Sequence, residues 1–338
     1  MPGRLLILTA AFHPAHPLPT PFLQSARQAG LQADIVLLCH RRDSKVEQEL
    51  QRLYPRTYII APLRYGLLRA VRRILVSTRL VKPVARLARA IWKNSGFLRK
   101  RIEAIVPYLL AITLGRFFLT RSFLAARANE YSAVLLIDSR DVIFQRNPLE
   151  DFEGGVLAGV ENTAIEDQPR NCEWLEQIYG ESPKTLSELW PRKVICSGVT
   201  LGAATQILAY LDLMCDEFIE QLPQVAYTEY LDQAVHNKLL YGESHDLDLQ
   251  LTDNFQGSIV NLATSDLSEF DADWSGGLRL KNGRMVSIVH QYDRHPELER
   301  VLLARLESNL ESNLESNLES NKEQKAVANA LAGVGSQL

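Results

Sequence analysis

The sequence contains few cysteines and no cysteine pair of the kind that binds zinc or exchanges thiols. Its four cysteines, Cys39, Cys172, Cys196 and Cys215, are scattered along 338 residues, and none belongs to a C-x-x-C motif. This spacing predicts neither a zinc site nor a thioredoxin-like site. Scattered thiols fit a reducing compartment, so we expect a cytoplasmic protein.

Long apolar runs are also missing. The longest candidate, residues 105–114, is too short to cross a bilayer and is followed by Arg116. The apolar stretch 5–12 imitates a signal peptide, but it lacks an A-x-A cleavage site and is followed by proline and histidine. We interpret this stretch as a first buried strand and expect no membrane-spanning segment.

An excess of positive charge is absent from the chain as a whole. The formal net charge is −3 at pH 7, which argues against a dedicated nucleic-acid-binding protein because such domains are usually basic. A hydrophobic share of 46% and a charged share of 23% are ordinary for a globular protein. We therefore expect a chain with a full core and no nucleic-acid partner.

Acidic residues are absent from one long segment. Residues 64–101 contain twelve lysines and arginines and no aspartate or glutamate. Apolar residues recur there at helical spacing, which predicts basic amphipathic helices, with Pro83 in the first turn of the second helix. Two interpretations stay open: the helices dock on an anionic membrane, at the inner face of the plasma membrane, or they pack on the core with solvated arginines. The predicted apolar side of the second helix comprises Val84, Leu87, Ala88, Ile91 and Trp92.

Strands and helices alternate along most of the chain. The runs 4–11 and 33–39 are apolar and are separated by a proline-rich loop and a helix, which is the opening of a parallel α/β sheet. We predict one domain over residues 1–300, with the segment 64–115 as a basic helical insertion.

The C-terminal segment has low complexity. The tetrapeptide LESN occurs four times over residues 306–321. A leucine every four residues drifts around a helix of 3.6 residues per turn, and serine and asparagine form helices poorly. We therefore predict that residues 301–338 are a tail outside the fold.

Two carboxylates follow a buried stretch in the middle of the chain. Residues 132–144 have the sequence SAVLLIDSRDVIF, which we predict to form one strand with polar, potentially functional residues toward its end. Ligands of open α/β sheets bind beyond the carboxyl ends of strands, and carboxylate oxygens suit Mg²⁺ or Mn²⁺. Asp138 and Asp141 therefore predict a metal site that neutralises a diphosphate. In the alternative interpretation Asp138 caps a turn and Asp141 pairs with Arg140.

Three later segments complete a pattern that resembles a known family. Residues 196–202 (CSGVTLG) resemble an N-A/S-G-hydrophobic segment, and Asp232 and Gln233 with Asn237 resemble a D-Q-x-x-x-N helix. His290, at the end of a late strand, resembles a histidine that supplies a further metal ligand. In this order, after the paired aspartates, the chain resembles GT-A-fold nucleotide-sugar glycosyltransferases, closest to the glycogenin-like and lipopolysaccharide-galactosyltransferase-like group.

The resemblance, which covers about residues 4–295, implies a fold and an activity. The fold is an α/β, GT-A type, Rossmann-like mixed sheet flanked by helices. The activity is metal-dependent transfer from a nucleoside-diphosphate sugar, expected to be a UDP-sugar, to a glycan or lipid-linked acceptor, with retention of the anomeric configuration. An inverting enzyme would need a base, for which Glu229 and Asp232 are available. The implied residues are Asp232 and Gln233 for catalysis, Thr9, Ala10, Arg140, Ser197 and Gly198 for the donor, and Asp138, Asp141 and His290 for Mn²⁺ or Mg²⁺.

The sequence departs from the family pattern in two segments. The usual D-x-D motif is D-S-R-D here, which makes Asp141 the second carboxylate and inserts Arg140, whose guanidinium could contact phosphate. Cys196 stands where the family has asparagine, so Ser197 is the candidate replacement contact.

Two other functional classes stay open. A phosphohydrolase would use Asp138 as a nucleophile, but its second acid would fall on Arg140. A non-catalytic membrane- or glycan-binding protein could share the same fold.

Overall fold

A computed structural model describes residues 4–10, 19–39, 43–60, 65–226, 228, 230–242 and 246–308. Within these ranges the chain forms a seven-stranded sheet and a separate three-stranded sheet, with helices packed around them. The predicted α/β class with a mixed sheet is confirmed. Glu229 and residues 309–338 of the predicted tail lie outside the described residues.

The large sheet is mostly parallel. Its strands are β1 (Leu5–Ala10), β2 (Ala33–Leu38), β3 (Thr57–Ile60), β4 (Ala133–Ile137), β6 (Val156–Ala164), β7 (Lys193–Ala203) and β8 (Leu249–Asp253). Their order is β3-β2-β1-β4-β7-β6-β8, and only β7 runs antiparallel to its neighbours among these strands. The small sheet, in the order β5-β10-β9, contains β5 (Val142–Phe144), β9 (Ile259–Asn261) and β10 (Ile288–His290).

The helices connect these strands and cover the large sheet. They are α1 (Thr20–Gln28), α2 (Ser44–Leu53), α3 (Tyr65–Ser77), α4 (Val81–Asn94), α5 (Gly96–Leu109), α6 (Ile112–Ala125), α7 (Pro169–Tyr179), α8 (Pro183–Leu189), α9 (Ala204–Glu220), α10 (Leu222–Val225), α11 (Asp232–Leu240) and α12 (296–308). Pro83 lies in the first turn of α4, as predicted.

The prediction of one strand over residues 132–144 is wrong. β4 ends at Ile137 and belongs to the large sheet, whereas β5 begins at Val142 and pairs with β10 in the small sheet. The four residues between them are mainly polar and cannot continue a strand that is buried on both faces. The chain turns there, so both aspartates of the motif lie in the connection between the two sheets.

Three apolar cores hold the molecule together. Side chains alternate along a strand, so Leu6 of β1 packs into the core beneath α6 and α9, whereas Leu5 packs into the core beneath α1 and α2. The third core lies between the small sheet and α12 and includes Leu302 and Leu306. The packed chain therefore continues past residue 300, where the sequence analysis ends the domain.

The predicted basic insertion, residues 64–115, lies between β3 and β4 and includes α3, α4, α5 and the start of α6. Ala85 and Ala88 of α4 and Val106 of α5 are buried in the first core, and α4 packs on α9 and α10. Among the residues described above, no helix is both long and apolar enough to traverse a lipid bilayer.

Candidate metal and ligand site

The candidate site lies where the order of the large sheet reverses. After β1 the chain continues to β2 on one side, whereas β4 lies on the other side of β1. Crevices at such switch points, beyond the carboxyl ends of the strands, bind ligands in open α/β sheets. Thr9 near the end of β1 and Asp138 after β4 line one cleft here, together with Arg116 of α6 and Ser197 of β7.

An irregular part of β7 forms the opposite side of this cleft. The pairing of β7 with β6 shifts between Ala158 and Val160, which leaves residues 196–199 as a bulge. Bulges of this kind redirect side chains and often lie beside functional sites. The Gly198 carbonyl in the bulge accepts a 2.9 Å hydrogen bond from the Asp138 backbone N–H. The segment CSGV therefore faces the first aspartate, as its position in the motif order requires.

The small sheet brings His290 to the second aspartate. β10 pairs His290 with Val142, and the backbone N–H of Gln291 donates to the Asp141 carbonyl at 2.7 Å. His290 Nε2 then lies 3.6 Å from Asp141 Oδ1.

Two residues next to the site residues in sequence have a left-handed backbone conformation. Gln291 has a φ of 61°, and Tyr230, two residues before Asp232, has a φ of 64°. Non-glycine residues rarely adopt this left-handed conformation, and those that do cluster at functional sites.

Asp138, Asp141 and His290 together could hold a metal ion. Each offers one ligand atom, and these atoms lie within 4.8 Å of one another. Ligands about 2.1 Å from a common ion lie within about 4.2 Å of each other, so small side-chain movements bring this set to bonding distance. The Asn261 Oδ1 atom lies 2.9 Å from His290 Nδ1. Because an amide oxygen only accepts hydrogen bonds, Nδ1 carries the proton and donates, which leaves the lone pair of Nε2 for a metal.

Arg116 joins the first aspartate to the helix that carries Asp232. Its Nη1 donates to Asp138 Oδ1 and its Nη2 to Asp232 Oδ2, both at 2.8 Å. Burial opposes the charge of this guanidinium, but the two carboxylates outweigh burial and raise the pKa of Arg116. The sequence motifs did not predict that Arg116 belongs to the site. A single arginine in the apolar stretch ITLGRFFL of α6 was the available signal, because a buried charge needs a partner.

The aspartates give the site an excess of negative charge. Burial raises the pKa of Asp141, and the charge of Asp138 raises it further, while His290 lowers it. Burial likewise raises the pKa of Asp232, partly offset by Arg116. The three carboxylates exceed the single guanidinium by two charges when the imidazole is neutral. A divalent cation would balance this cluster.

No protein-family model matches this chain, and no curated protein matches it. Similarity to known proteins therefore assigns it no function.

Gly198 lies directly against the imidazole of His290. A Cβ atom at this position would lie 2.6 Å from His290 Nε2 and 3.2 Å from Asp138 Oδ2. Glycine thus leaves the space in which the free imidazole nitrogen and a carboxylate oxygen face each other.

The predicted donor residues fall into two groups. Thr9 and Ser197 line the cleft, and Thr9 Oγ1 is buried without a hydrogen-bond partner in the described part of the chain. Ala10 follows Thr9 and is the last residue of β1. Arg140 is exposed and forms no ion pair with any described residue, so the alternative in which it pairs with Asp141 is wrong.

The D-Q-x-x-x-N segment contributes one residue to the site and two to its support. Only Asp232 reaches the cluster, through Arg116. The Gln233 amide donates instead to Asn171 Oδ1 of α7 at 2.8 Å. Asn237 binds the N–H and the carbonyl of Ile195 in β7, each at 2.8 Å, and so fixes α11 against the bulge.

Buried polar groups behind His290 support its position. The Cys196 thiol lies 3.5 Å from His290 Nδ1, and burial raises its pKa well above the usual value. Glu161 is also buried beside Cys196, and burial raises the pKa of its carboxyl. Glu161 and Asn261 belong to none of the sequence motifs, so the motifs predicted neither residue.

Proposed function

We propose that this chain is a metal-dependent glycosyltransferase. It moves a sugar from a nucleoside-diphosphate sugar, expected to be a UDP-sugar, to a hydroxyl group of a glycan or lipid-linked acceptor. The observation that carries the proposal is the set of two aspartates and a histidine within 4.8 Å at the switch point of the sheet. The mostly parallel mixed sheet and the order of the motifs are those expected of the GT-A fold.

Asp138, Asp141 and His290 would hold the metal through carboxylate oxygens and Nε2. Mn²⁺ or Mg²⁺ there would supply positive charge against the nucleoside-diphosphate leaving group. Arg116 holds Oδ1 of Asp138, while Oδ2 lies beside Gly198 and His290. The guanidinium therefore orients the carboxylate toward the other two ligands.

The nucleotide binds beyond the end of β1, at Thr9 and Ala10. An unpaired buried hydroxyl costs about 1–3 kcal/mol, and the Thr9 hydroxyl has no partner among the described residues. A polar group of the ribose or the base would remove that cost.

Arg140 lies in sequence between the two aspartates, and its side chain is exposed. Its planar guanidinium is available to a phosphate of the donor.

The donor sugar lies against Ser197, Gly198 and the start of α11. Arg116 binds Oδ2 of Asp232, and the carboxylate would accept a hydrogen bond from a sugar hydroxyl. The resemblance places Gln233 near the reacting carbon and implies retention of configuration. For that role the Gln233 amide must leave Asn171, to which it donates in this structure.

A panel of UDP- and GDP-sugars tests the proposal. We expect release of the nucleoside diphosphate with Mn²⁺, none with EDTA, and a loss of about 1,000-fold or more in Asp141→Asn, because that variant lacks a charged metal ligand. Asp293→Asn, an acidic neighbour outside the ligand set, should release product like the wild type.

Two other results would favour the alternative functional classes. Metal-dependent binding of UDP without turnover of any donor or transfer to any acceptor would favour a non-catalytic protein. Hydrolysis of p-nitrophenyl phosphate that disappears in Asp138→Asn would favour a phosphohydrolase.

A further inference from the structure

The helices α3, α4 and α5 expose large apolar side chains. Seven of the ten exposed large hydrophobic residues in the described part of the chain lie between positions 71 and 105. The most exposed are Phe97 at 81%, Leu87 at 62% and Ile74 at 60%. We call this the α3–α5 surface, and its apolar members are Val71, Ile74, Val76, Leu80, Leu87, Phe97 and Ile105.

Helix α4 shows why these side chains are not part of the core. The predicted apolar side of this helix included Leu87 together with Ala88, and this grouping is wrong. Ala85 and Ala88 face the core, whereas Leu87 points away from it. The helix therefore has a buried face of small residues and an exposed face that combines apolar and basic residues.

The same surface carries positive charge that no described residue neutralises. Some cations of the segment are paired: Arg89 and Lys93 contact Glu220, and Arg99 contacts Glu103 and Asp216. Five others form no ion pair with any residue in the described ranges. They are Arg73, Arg79, Arg86, Lys100 and Arg101.

Charge and apolar area share the same helix faces. In α5, residues four apart lie above one another, which places Phe97, Arg101 and Ile105 on one face. The Arg101 guanidinium lies 5.5 Å from the centre of the Phe97 ring. In α4, Arg86 and Leu87 are neighbours, and both are exposed. A partner of this surface must therefore accept cations and bulky apolar groups together.

We propose that the α3–α5 surface docks on a lipid bilayer that contains anionic lipids. Anionic headgroups neutralise the unpaired lysines and arginines, while the boundary with the acyl chains takes up the apolar side chains. A nucleic acid would bind the cations but leave aliphatic groups such as Ile74 in water. A second copy of the chain would place these cations against one another, because residues 64–101 contain no acid.

The proposal does not depend on the identity of the reaction. The surface is attached to the fold through Val81, Ala85 and Val106, which are buried in the first core. None of its exposed members belongs to the candidate site. Loss of docking therefore leaves binding of metal and soluble nucleotide unchanged, and the two proposals can fail separately.

Vesicle co-sedimentation of the full chain tests the docking. We expect binding to phosphatidylcholine vesicles that contain phosphatidylserine, weak binding to pure phosphatidylcholine, and release at about 0.5 M salt, where the Debye length is about 4 Å. Replacing three cations, Arg86→Gln, Lys100→Gln and Arg101→Gln, should weaken binding about 100-fold, from about fivefold for each charge. Leu87→Ser and Phe97→Ser should each weaken it about tenfold.

Control variants elsewhere on the surface test whether a loss of charge or of exposed apolar area by itself weakens binding. Lys184→Gln with Lys281→Gln removes two exposed cations, and Leu251→Ser removes an exposed apolar group; both variants should bind like the wild type. The proposal is overturned if the protein binds neither kind of vesicle or binds both kinds equally. It is also overturned if the α3–α5 variants bind like the wild type, or if light scattering shows a dimer that Phe97→Ser converts to a monomer.

Discussion

Gly198→Ala should lower the affinity for Mn²⁺ by about 100-fold or more while the protein stays folded, because a metal site that loses the position of one ligand loses most of its binding free energy. The added methyl group would lie 2.6 Å from His290 Nε2, closer than nonbonded atoms approach each other. The imidazole must therefore leave its place between the two aspartates. Calorimetric titration of Mn²⁺ into the metal-free protein measures the loss.

The matched control is Gly276→Ala. A Cβ atom at Gly276 meets no atom within 4 Å, and neither glycine has the positive φ that disfavours alanine. The two variants therefore differ in what the methyl group touches. Equal Mn²⁺ affinity in both variants would show that His290 does not bind the metal.

Arg116→Met should lower the free energy of unfolding by about 3–5 kcal/mol, because it leaves the buried carboxylate of Asp232 without its partner. The side chains of Arg116 and Asp232 are 15% and 13% exposed. The Asp138 side chain is 40% exposed, so water compensates its lost contact. The cost therefore arises mainly at Asp232. Urea unfolding at neutral pH measures it.

A second substitution separates the charge from the packing. In the double variant Arg116→Met/Asp232→Asn the buried negative charge is gone, so most of the lost stability should return. Arg140→Met removes an exposed arginine and should change stability by less than about 0.5 kcal/mol. A loss of under about 1 kcal/mol in Arg116→Met would contradict the assignment of Arg116 as the partner that Asp232 requires.

The elements that could be predicted from the sequence are those whose pattern is local. β2 is buried along its whole length, so its apolar run was visible as a strand between two parallel neighbours. The break inside residues 132–144 was not visible, because apolar runs lie on both sides of it. Hydropathy does not show that β4 and β5 belong to different sheets. The aspartates were recognised, but their place between two sheets required the structure.

The hydrogen bonds that hold the site residues in place could not be predicted, because the residues that form them are distant in sequence. Arg116 precedes its partner Asp138 by 22 residues and Asp232 by 116. Asn261 precedes His290 by 29 residues, and only the pairing of β9 with β10 brings them together. The motif order predicted that Asp138, Asp141 and His290 would meet, but it did not predict that Gln233 would bind Asn171. Which hydrogen bonds hold them there depends on the sheet register and on the position of α6.

The most direct test of the central claim is a calorimetric titration of UDP into the wild-type protein with Mn²⁺, repeated with EDTA and with Asp141→Asn. The site predicts binding with Mn²⁺ and a loss of binding both with EDTA and in the variant, since the metal joins the diphosphate to the carboxylates. UDP binding of equal strength in all three conditions, or no UDP binding with Mn²⁺, would contradict the proposal that this cluster holds a metal-bound nucleotide.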